Sequence, residues 1–315
     1  MRKVSVIMPC HDAGSFLAPA VASVLEQETG QRFELELIIL DDASSDPVTL
    51  ETLRAVSIDP RVRVLCSRTC LGAAAARNLA LGHATGDHIA FLDSDDLWEP
   101  NHLDLHLNLG VESSATLTST DYDLIDESGQ IVTRGVMMAS PQKGPRLRLA
   151  LGGQTRLTLE RPRRLFVEAC PAWTGSVVVD RGVLTTTGPF DDRRRYAEDV
   201  DLWTRLSARC RFTFAPMVTA QHRQNPTSLV STAAHGSVDL ALAEVYADLR
   251  RHEEFQDLST PLREAAAANF LSAAHAFRRS RARAAAARCA WLAIQQEPFG
   301  LRGYKELIAA LAPRD

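Results

Sequence analysis

The sequence predicts an α/β protein in which a mostly parallel sheet is flanked by helices and followed by a helical C-terminal extension. Short apolar runs of strand length alternate with segments of helical periodicity through the first half of the chain, which is typical of βαβ units. Polar residues follow three of these runs directly. Beyond about residue 232 only helical apolar stripes recur, so we expect an α/β domain over 1–232 and a helical extension over 233–315.

The elements of the first half follow from these runs in order. Continuous apolar runs predict buried strands, and apolar residues at helical spacing predict amphipathic helices. The strands are expected at 4–8, 35–40, 62–65 and 89–92, and the helices at 15–28, 49–56 and 73–84.

The second half is less regular. Strands are expected at 117–119, 176–179 and 212–215, a turn at Ser128-Gly129, a helix at 196–210, and three helical stripes that begin at Val238, Leu262 and Leu301. Between 133 and 162 the pattern dissolves into Gly, Pro, Arg and Gln, which fits either a mobile loop over a site or a variable excursion.

Composition limits the function classes. The 315 residues are 45% hydrophobic and 23% charged, with a formal net charge of −4. This weak acidic balance gives no support for nucleic-acid binding, and no apolar run approaches the ~20 residues that cross a bilayer. The first apolar run is too short for a secretory signal. The six cysteines complete no zinc spacing, and we interpret them as reduced thiols of a cytoplasmic protein.

The acidic cluster Asp93-Ser94-Asp95-Asp96 directly follows a buried strand. Crowded carboxylates favour a hard cation with oxygen ligands, such as Mg²⁺ or Mn²⁺, although acids that cap the next helix in water would look the same. Two other strand ends carry Cys10-His11-Asp12 and Asp41-Asp42. Because the carboxyl ends of parallel strands share one edge of a sheet, this convergence favours a ligand site there.

Five blocks in order resemble the motifs of family 2 glycosyltransferases. They are VSVIMPCHDAGSFLAPAVASVLEQ, LIILDDASSD, GAAAARNLAL, GDHIAFLDSDD and FDDRRRYAEDVDLWTRL, and together they span about the first 230 residues. The resemblance implies the GT-A fold, a Rossmann-like nucleotide-binding domain with a DxD metal motif, over residues 1–232. The extension shows no comparable motif.

The resemblance also implies a nucleotide site. Its residues would be Pro9, His11 and Asp12 around base and ribose, Asp42 on the uracil imide, Arg77 on the nucleotide, and Asp93 with Ser94 in the acidic motif. For Arg77, a surface salt bridge is the alternative. Family members often have Tyr at position 11, Asn at position 12 and Asn at position 70, where this chain has His, Asp and Cys, so the base specificity is less firmly implied.

The same resemblance implies a metal site for Mn²⁺ or Mg²⁺. Asp95 is expected to touch the metal, with Asp93 supporting it through ribose, water or the ion itself. His222 stands where the family has Tyr, and it is a candidate for the metal or the diphosphate, with an ordinary loop histidine as the alternative. Asp96 is equally suited to cap the following helix.

An acceptor hydroxyl that attacks a sugar must lose a proton, and a carboxylate is the natural base. The resemblance places that base on Asp199 and an acceptor contact on Glu198, although two acids at a helix start also suit the helix dipole. Trp173-Thr174-Gly175 resembles the segment beside donor sugar and acceptor, and a core tryptophan is an equally good account of Trp173.

The sequence therefore predicts an inverting, metal-dependent glycosyltransferase that uses a UDP-sugar and builds a polysaccharide or glycoconjugate. The absence of a Gln-x-x-Arg-Trp motif favours the addition of single sugars to a saccharide or lipid-linked acceptor. The alternatives are a haloacid-dehalogenase-like phosphatase, which also opens on strand-Asp-x-Asp, and a catalytically silent GT-A-fold binding protein.

An arginine-rich run in the extension has two interpretations. Arg278, Arg279, Arg281, Arg283 and Arg288 lie near Trp291. They suit a peripheral contact with anionic lipid at the inner face of the membrane, or simply the solvated face of a helix. The sequence leaves a homo-oligomer open.

Overall fold

The computed structural model describes residues 2–28, 32–226, 228 and 231–312. The strands are β1 (Arg2–Cys10), β2 (Phe33–Asp42), β3 (Val62–Ser67), β4 (His88–Phe91), β5 (Leu97–Trp98), β6 (Leu117–Ile125), β7 (Ile131–Thr133), β8 (Leu157–Glu160), β9 (Val177–Asp180) and β10 (Arg211–Arg223). The helices of the α/β part are α1 (Leu17–Leu25), α2 (Pro47–Val56), α3 (Ala73–Leu81), α4 (His102–Ser113), α5 (Val136–Ala139), α6 (Gly144–Leu151), α7 (Arg163–Ala169), α8 (Arg181–Thr187) and α9 (Glu198–Ser207). The extension carries α10 (Ser237–Leu249), α11 (Ser259–Arg279), α12 (Arg283–Gln296) and α13 (Leu301–Leu311).

Within the described residues the strands form one sheet in the order β3-β2-β1-β4-β9-β6-β10-β5, with β7 on β6 and β8 on β10. β1 pairs in parallel with β2 and β4, β2 with β3, and β6 with β10. β9 lies antiparallel between β4 and β6. The predicted class, a mostly parallel sheet with flanking helices and a helical C-terminal extension, is confirmed.

The central strands have continuous apolar sequences because helices cover both faces of the sheet. On β1, Ile7 belongs to the core that α3 covers, while Val6 and Met8 belong to the core beneath α1. All three side chains are fully buried. This alternation fixes the register of β1, since a shift by one residue would exchange the two faces.

The register also aligns the strand ends. Cys10 at the end of β1 lies opposite Asp41 on β2, and Ile7 lies opposite Phe91 at the end of β4. The polar residues that follow β1, β2 and β4 therefore meet at one edge of the sheet, as the sequence predicts.

Residues 133–162 are ordered, in contrast to the irregular chain that the sequence predicts. α5, α6 and β8 lie in this range, with Met137 and Leu147 buried in the core. The Asp121 carboxylate on β6 accepts hydrogen bonds from Met137 N at 2.8 Å and Met138 N at 3.1 Å. These bonds hold the start of α5 against the sheet. Of the two expected alternatives, the segment is therefore the variable excursion, packed on the α/β part.

β10 is much longer than the predicted strand at 212–215. It continues past register shifts around Val218 to Arg223. This continuation brings His222 to the same edge of the sheet as the acidic residues.

The helical extension packs on the α/β part through a shared core. Val167 of α7 and Ala208 after α9 join buried side chains of α10 and α11 in one hydrophobic cluster. Arg163 Nη1 lies 2.6 Å from Asp257 Oδ1 and Arg209 Nε 2.8 Å from Glu254 Oε1 at the border of this cluster. In the part of the chain that the structure describes, no helix is both long and apolar enough to span a membrane.

Candidate active site

Asp42, at the end of β2, holds the loop that precedes α3. Its carboxylate oxygens accept hydrogen bonds from Leu71 N at 2.7 Å and Gly72 N at 2.8 Å, and the Cys70 thiol lies 3.5 Å away. The side chain is almost fully buried. The predicted contact with uracil would have to use the remaining lone pairs, and it stays a prediction.

The segment after β1 is tied to the loop after β2. Asp12 accepts hydrogen bonds from Ser45 N at 2.7 Å and Asp46 N at 2.8 Å, which lower the pKa of its carboxyl. The His11 ring binds Asp42 O through Nδ1 at 2.7 Å, and Pro9 is half-buried beside them. The three residues predicted to surround base and ribose therefore lie together, beside Asp42.

Arg77 on α3 joins two predicted motifs. Its guanidinium lies 2.7 Å from Asp93 Oδ1 through Nη2 and 2.8 Å from Glu198 Oε1 through Nη1. The side chain is buried rather than on the surface, so Arg77 forms internal rather than surface ion pairs, and its predicted contact with the nucleotide stays a prediction. Burial raises the pKa of Glu198 even though Arg77 opposes this, and the adjacent Asp199 adds to the rise.

The acidic cluster after β4 is a tight turn whose members have different partners. Ser94 is buried close to the Cys10 thiol. Asp95 accepts a hydrogen bond from Asn225 Nδ2 at 3.1 Å. Burial, Asp96 and Asp93 together raise the pKa of Asp95 to about 7, because negative charges are forced together in a poorly hydrated place.

Asp96 does not cap the following helix. α4 begins only at His102, and the buried Asp96 carboxylate instead accepts from Arg223 N at 2.8 Å and lies 3.2 Å from His222 Nδ1. Burial alone would lower the pKa of His222, but Asp96 in contact and the nearby Asp95 raise it to about 9. With Nδ1 engaged, a metal could be coordinated only by Nε2, and only after that nitrogen has lost its proton; the metal role of His222 stays a prediction.

The carboxylates fit a divalent ion in a nucleotide site. Among the residues that the structure describes, no three His, Cys, Asp or Glu side chains form a metal site by themselves. Mg²⁺ in such sites commonly takes one or two carboxylates and completes its shell with phosphate and water. Asp95, crowded by two other acids, and the half-buried Asp93 offer the oxygen ligands that this arrangement needs.

The predicted base lies in the first turn of α9. Asp199 Oδ2 is 3.5 Å from Thr174 Oγ1, and Asp199 Oδ1 accepts from Val200 N. Trp173 is half-buried, with its ring 4.3 Å from Tyr122 and 5.0 Å from His222 between centroids. It is thus packed against both core clusters of the α/β part, and its predicted place beside the sugars stays a prediction.

Two bridges therefore connect the nucleotide side with the predicted base. One runs from Glu198 through Arg77 to Asp93, and the other from Asp199 through Thr174 and Trp173 to His222 and Asp96. Sequence reasoning missed the roles of Asn225, Arg223 and Tyr122. The contacts of these three residues are not apparent from the sequence, because their partners are distant in the chain.

Comparison with known proteins identifies the class of this site. The family model described as glycosyl transferase family 2 matches residues 5–170. The chain is 32% identical over 200 residues to UDP-Glc:alpha-D-GlcNAc-diphosphoundecaprenol beta-1,3-glucosyltransferase WfgD of Escherichia coli, covering 64% of this chain and 68% of that protein.

A second relative is the putative teichuronic acid biosynthesis glycosyltransferase TuaG of Bacillus subtilis. It is 38% identical over 126 residues, which cover 40% of this chain and 49% of TuaG. The chain thus spans about two thirds of one relative and half of the other.

Among solved structures, S. aureus TarS 1–349 in complex with UDP-GlcNAc superposes with a TM-score of 0.72 at 16% identity. The match covers 98% of this chain and 89% of that one, and it shows a common GT-A fold.

These findings support a transferase rather than a phosphatase or a silent binding protein. A family model that spans half of the chain, relatives that are glycosyltransferases of polysaccharide and glycoconjugate biosynthesis, and a shared GT-A fold agree with one another. The chain belongs to glycosyltransferase family 2.

Proposed function

We propose that the protein transfers a single sugar from a UDP-sugar, with inversion and with a divalent metal ion, to a saccharide carried on a lipid diphosphate. The observation that carries this proposal is the Arg77 bridge, which holds the acidic motif at Asp93 and the predicted base segment at Glu198 against one guanidinium. A donor bound along the strand ends would then lie beside Asp199.

The reaction needs an acid–base step and a leaving group of concentrated charge. Asp199 accepts the proton of the acceptor hydroxyl while that oxygen bonds to the anomeric carbon and the bond to the diphosphate oxygen breaks. An ion held by Asp95 and Asp93 would neutralise the departing diphosphate. Attack opposite the leaving group inverts the anomeric centre, which requires the base and the acidic motif to come from different segments.

The lipid-linked acceptor is proposed from the relatives. WfgD and WfaP of Escherichia coli are both named for a diphosphoundecaprenol acceptor and a UDP-Glc donor. Polysaccharide assembly on such a carrier also fits the likeness to TuaG.

The donor proposal is tested by calorimetric titration of UDP, GDP, CDP and dTDP, each with and without Mn²⁺. Binding of UDP that strengthens with Mn²⁺ is expected, and Asp95→Ala should remove the dependence on metal. Preference for another nucleotide, or binding indifferent to metal, would contradict the proposal.

The base is tested by Asp199→Asn. This change removes the proton acceptor but keeps the shape, so UDP binding should persist while transfer falls by about 10²- to 10⁴-fold. Asp192→Asn, an exposed acid a few residues earlier, is the matched control. Full transfer activity in the Asp199 variant would contradict the assignment of Asp199 as the base.

A further inference from the structure

The last helix of the described chain, α13, exposes most of its large apolar side chains to solvent. α13 buries Gly303 and Ala310, whereas Leu301 is 73%, Ile308 69% and Leu311 67% exposed. Surface helices of globular proteins normally turn their large apolar side chains toward the core. The inward face is made of Gly303 and Ala310, with the partly buried Leu307 beside them. Glycine is needed where α13 approaches α12, since a Cβ on Gly303 would lie 2.7 Å from Ile294 Cγ1.

The outward apolar residues form one narrow stripe. At about 100° per residue, Leu301, Tyr304, Ile308 and Leu311 fall within an arc of about 80° on the helix, and we call them the α13 stripe. Tyr304 is 43% exposed, and Phe299, just before the helix, is 98% exposed. Lys305 and then Arg302 follow along one border of the stripe, about 40° and 100° from Leu301.

The segment of chain that contains the stripe is rich in cations. Residues 278–312 contain seven cations (Arg278, Arg279, Arg281, Arg283, Arg288, Arg302, Lys305) and two acids (Glu297, Glu306), although the whole chain has a net charge of −4. Glu306 is occupied by Arg278, whose Nε lies 3.1 Å from its Oε2.

We propose that the α13 stripe docks on the surface of an anionic lipid bilayer. An exposed apolar stripe bordered by Lys and Arg is the pattern of helices that lie in a membrane interface, where anionic headgroups meet the cations. A second copy of the chain would bring the same cationic border against itself, which like-charge repulsion opposes. The stripe, rather than the run from Arg278 to Arg288 alone, is then the contact.

The use of this contact rests on the proposed function, because only a lipid-linked acceptor gives docking a catalytic purpose. The contact itself needs no turnover and is measured separately. The cations would hold the protein at the surface where the acceptor diphosphate lies, while the stripe enters the headgroup region.

Co-sedimentation with vesicles tests the proposal. The full chain should pellet with vesicles of equal parts phosphatidylcholine and phosphatidylglycerol, weakly with phosphatidylcholine alone, and less as salt increases. Ile308→Glu should weaken binding to the anionic vesicles by about tenfold or more. Ile58→Glu, which changes an 83% exposed isoleucine on the other domain, should bind like the wild type.

Arg302→Glu combined with Lys305→Glu should also weaken binding and flatten its dependence on salt. Both Ile308→Glu and this double variant should keep UDP binding, because none of the three residues is in the candidate active site. A wild type that binds vesicles but does not bind UDP would contradict the proposed function and would still support the docking surface.

Three results would overturn the docking surface. The first is a wild type that pellets with neither vesicle, and the second is Ile308→Glu binding as well as Ile58→Glu. The third is a wild-type dimer in light scattering that Ile308→Glu converts to a monomer, which would assign the stripe to a second copy.

Discussion

Arg77 is the side chain on which the candidate site most depends, because its guanidinium neutralises two acids from distant parts of the chain. Glu198 is nearly buried and Asp93 is about one third exposed. Removing a buried cation leaves its partners as uncompensated charges, which is more costly than the loss of an exposed ion pair.

Arg77→Met should therefore lower the free energy of unfolding by about 3–5 kcal/mol, measured by urea denaturation. Arg61→Met is the matched control, since Arg61 pairs with Asp59 on the surface and its loss should cost no more than about 1 kcal/mol. Equal effects of the two changes would show that the Arg77 bridge does not stabilise the fold.

Glu36 couples the stability of the sheet to pH. Burial would raise its pKa, but hydrogen bonds from Lys3, Ser5 and Thr85 outweigh burial and lower the pKa to about 2. Because the folded pKa lies below the ordinary value of 4.5, the carboxylate contributes its full stability above that value. The contribution is lost as pH falls from about 4.5 toward 2.

Glu36→Gln should lower the free energy of unfolding near pH 7 by up to about 3 kcal/mol, the upper limit set by the pKa shift. The difference from the wild type should shrink as pH falls from 5 toward 2. Glu34→Gln, on the same strand but exposed, serves as the control. A difference that stays constant over this range would contradict the linkage.

At the scale of elements, the segment Thr174–Ser176 before β9 is shaped around the Trp173 ring. A Cβ on Gly175 would lie 2.4 Å from Trp173 Cη2, so only glycine permits the present position of the indole. Gly175 O also accepts a hydrogen bond from Trp98 Nε1 at 2.7 Å, which keeps the backbone from moving away.

Gly175→Ala should destabilise the protein by about 1–3 kcal/mol, as overpacking does, and should impair transfer more than UDP binding. Gly182→Ala is the control, because a Cβ there meets nothing within 4 Å. Thermal denaturation and transfer assays separate the two changes. Unchanged activity in Gly175→Ala would show that the position of Trp173 does not matter for catalysis.

The elements that the sequence predicts well are those with a continuous local signal. β1, β2, β4 and α1 lie where apolar runs and helical periodicity indicate. β5 has only two residues, and the far half of β10 follows a register shift, so neither leaves a periodic pattern.

The candidate site likewise combines residues that the sequence predicts with contacts that it does not predict. The acids at the strand ends are visible in the sequence because each follows an apolar run. The Arg77–Glu198 pair joins residues 121 positions apart, and the contact of His222 with Asp96 depends on the length of β10. Such contacts are set by the sheet topology, which no local pattern specifies.

At the scale of the whole molecule, the predicted boundary near residue 232 coincides with a change in composition and not with a gap in packing. Val167 and Ala208 are buried against side chains of the helical extension. A chain ending at residue 232 should expose this cluster and melt lower, by about 2–4 °C for each kcal/mol lost. A chain ending at residue 298, which lacks α13 and the two residues before it, keeps the shared cluster and should melt closer to the full protein.

Differential scanning calorimetry distinguishes the outcomes. One transition for the full chain is expected, since the shared core couples the two parts. If the chain ending at residue 232 melted at the same temperature as the full protein, the two predicted domains would be independent in stability.

The acids at the strand ends have a chemical consequence beyond ligand binding. Cys66 and Cys70 are exposed thiols, and partial burial with Asp41 or Asp42 nearby raises the pKa of each. Oxidants and alkylating agents react with the thiolate, which is scarce in such surroundings. The carboxylates at this edge of the sheet should therefore slow the reaction of the neighbouring thiols with peroxide and with alkylating agents.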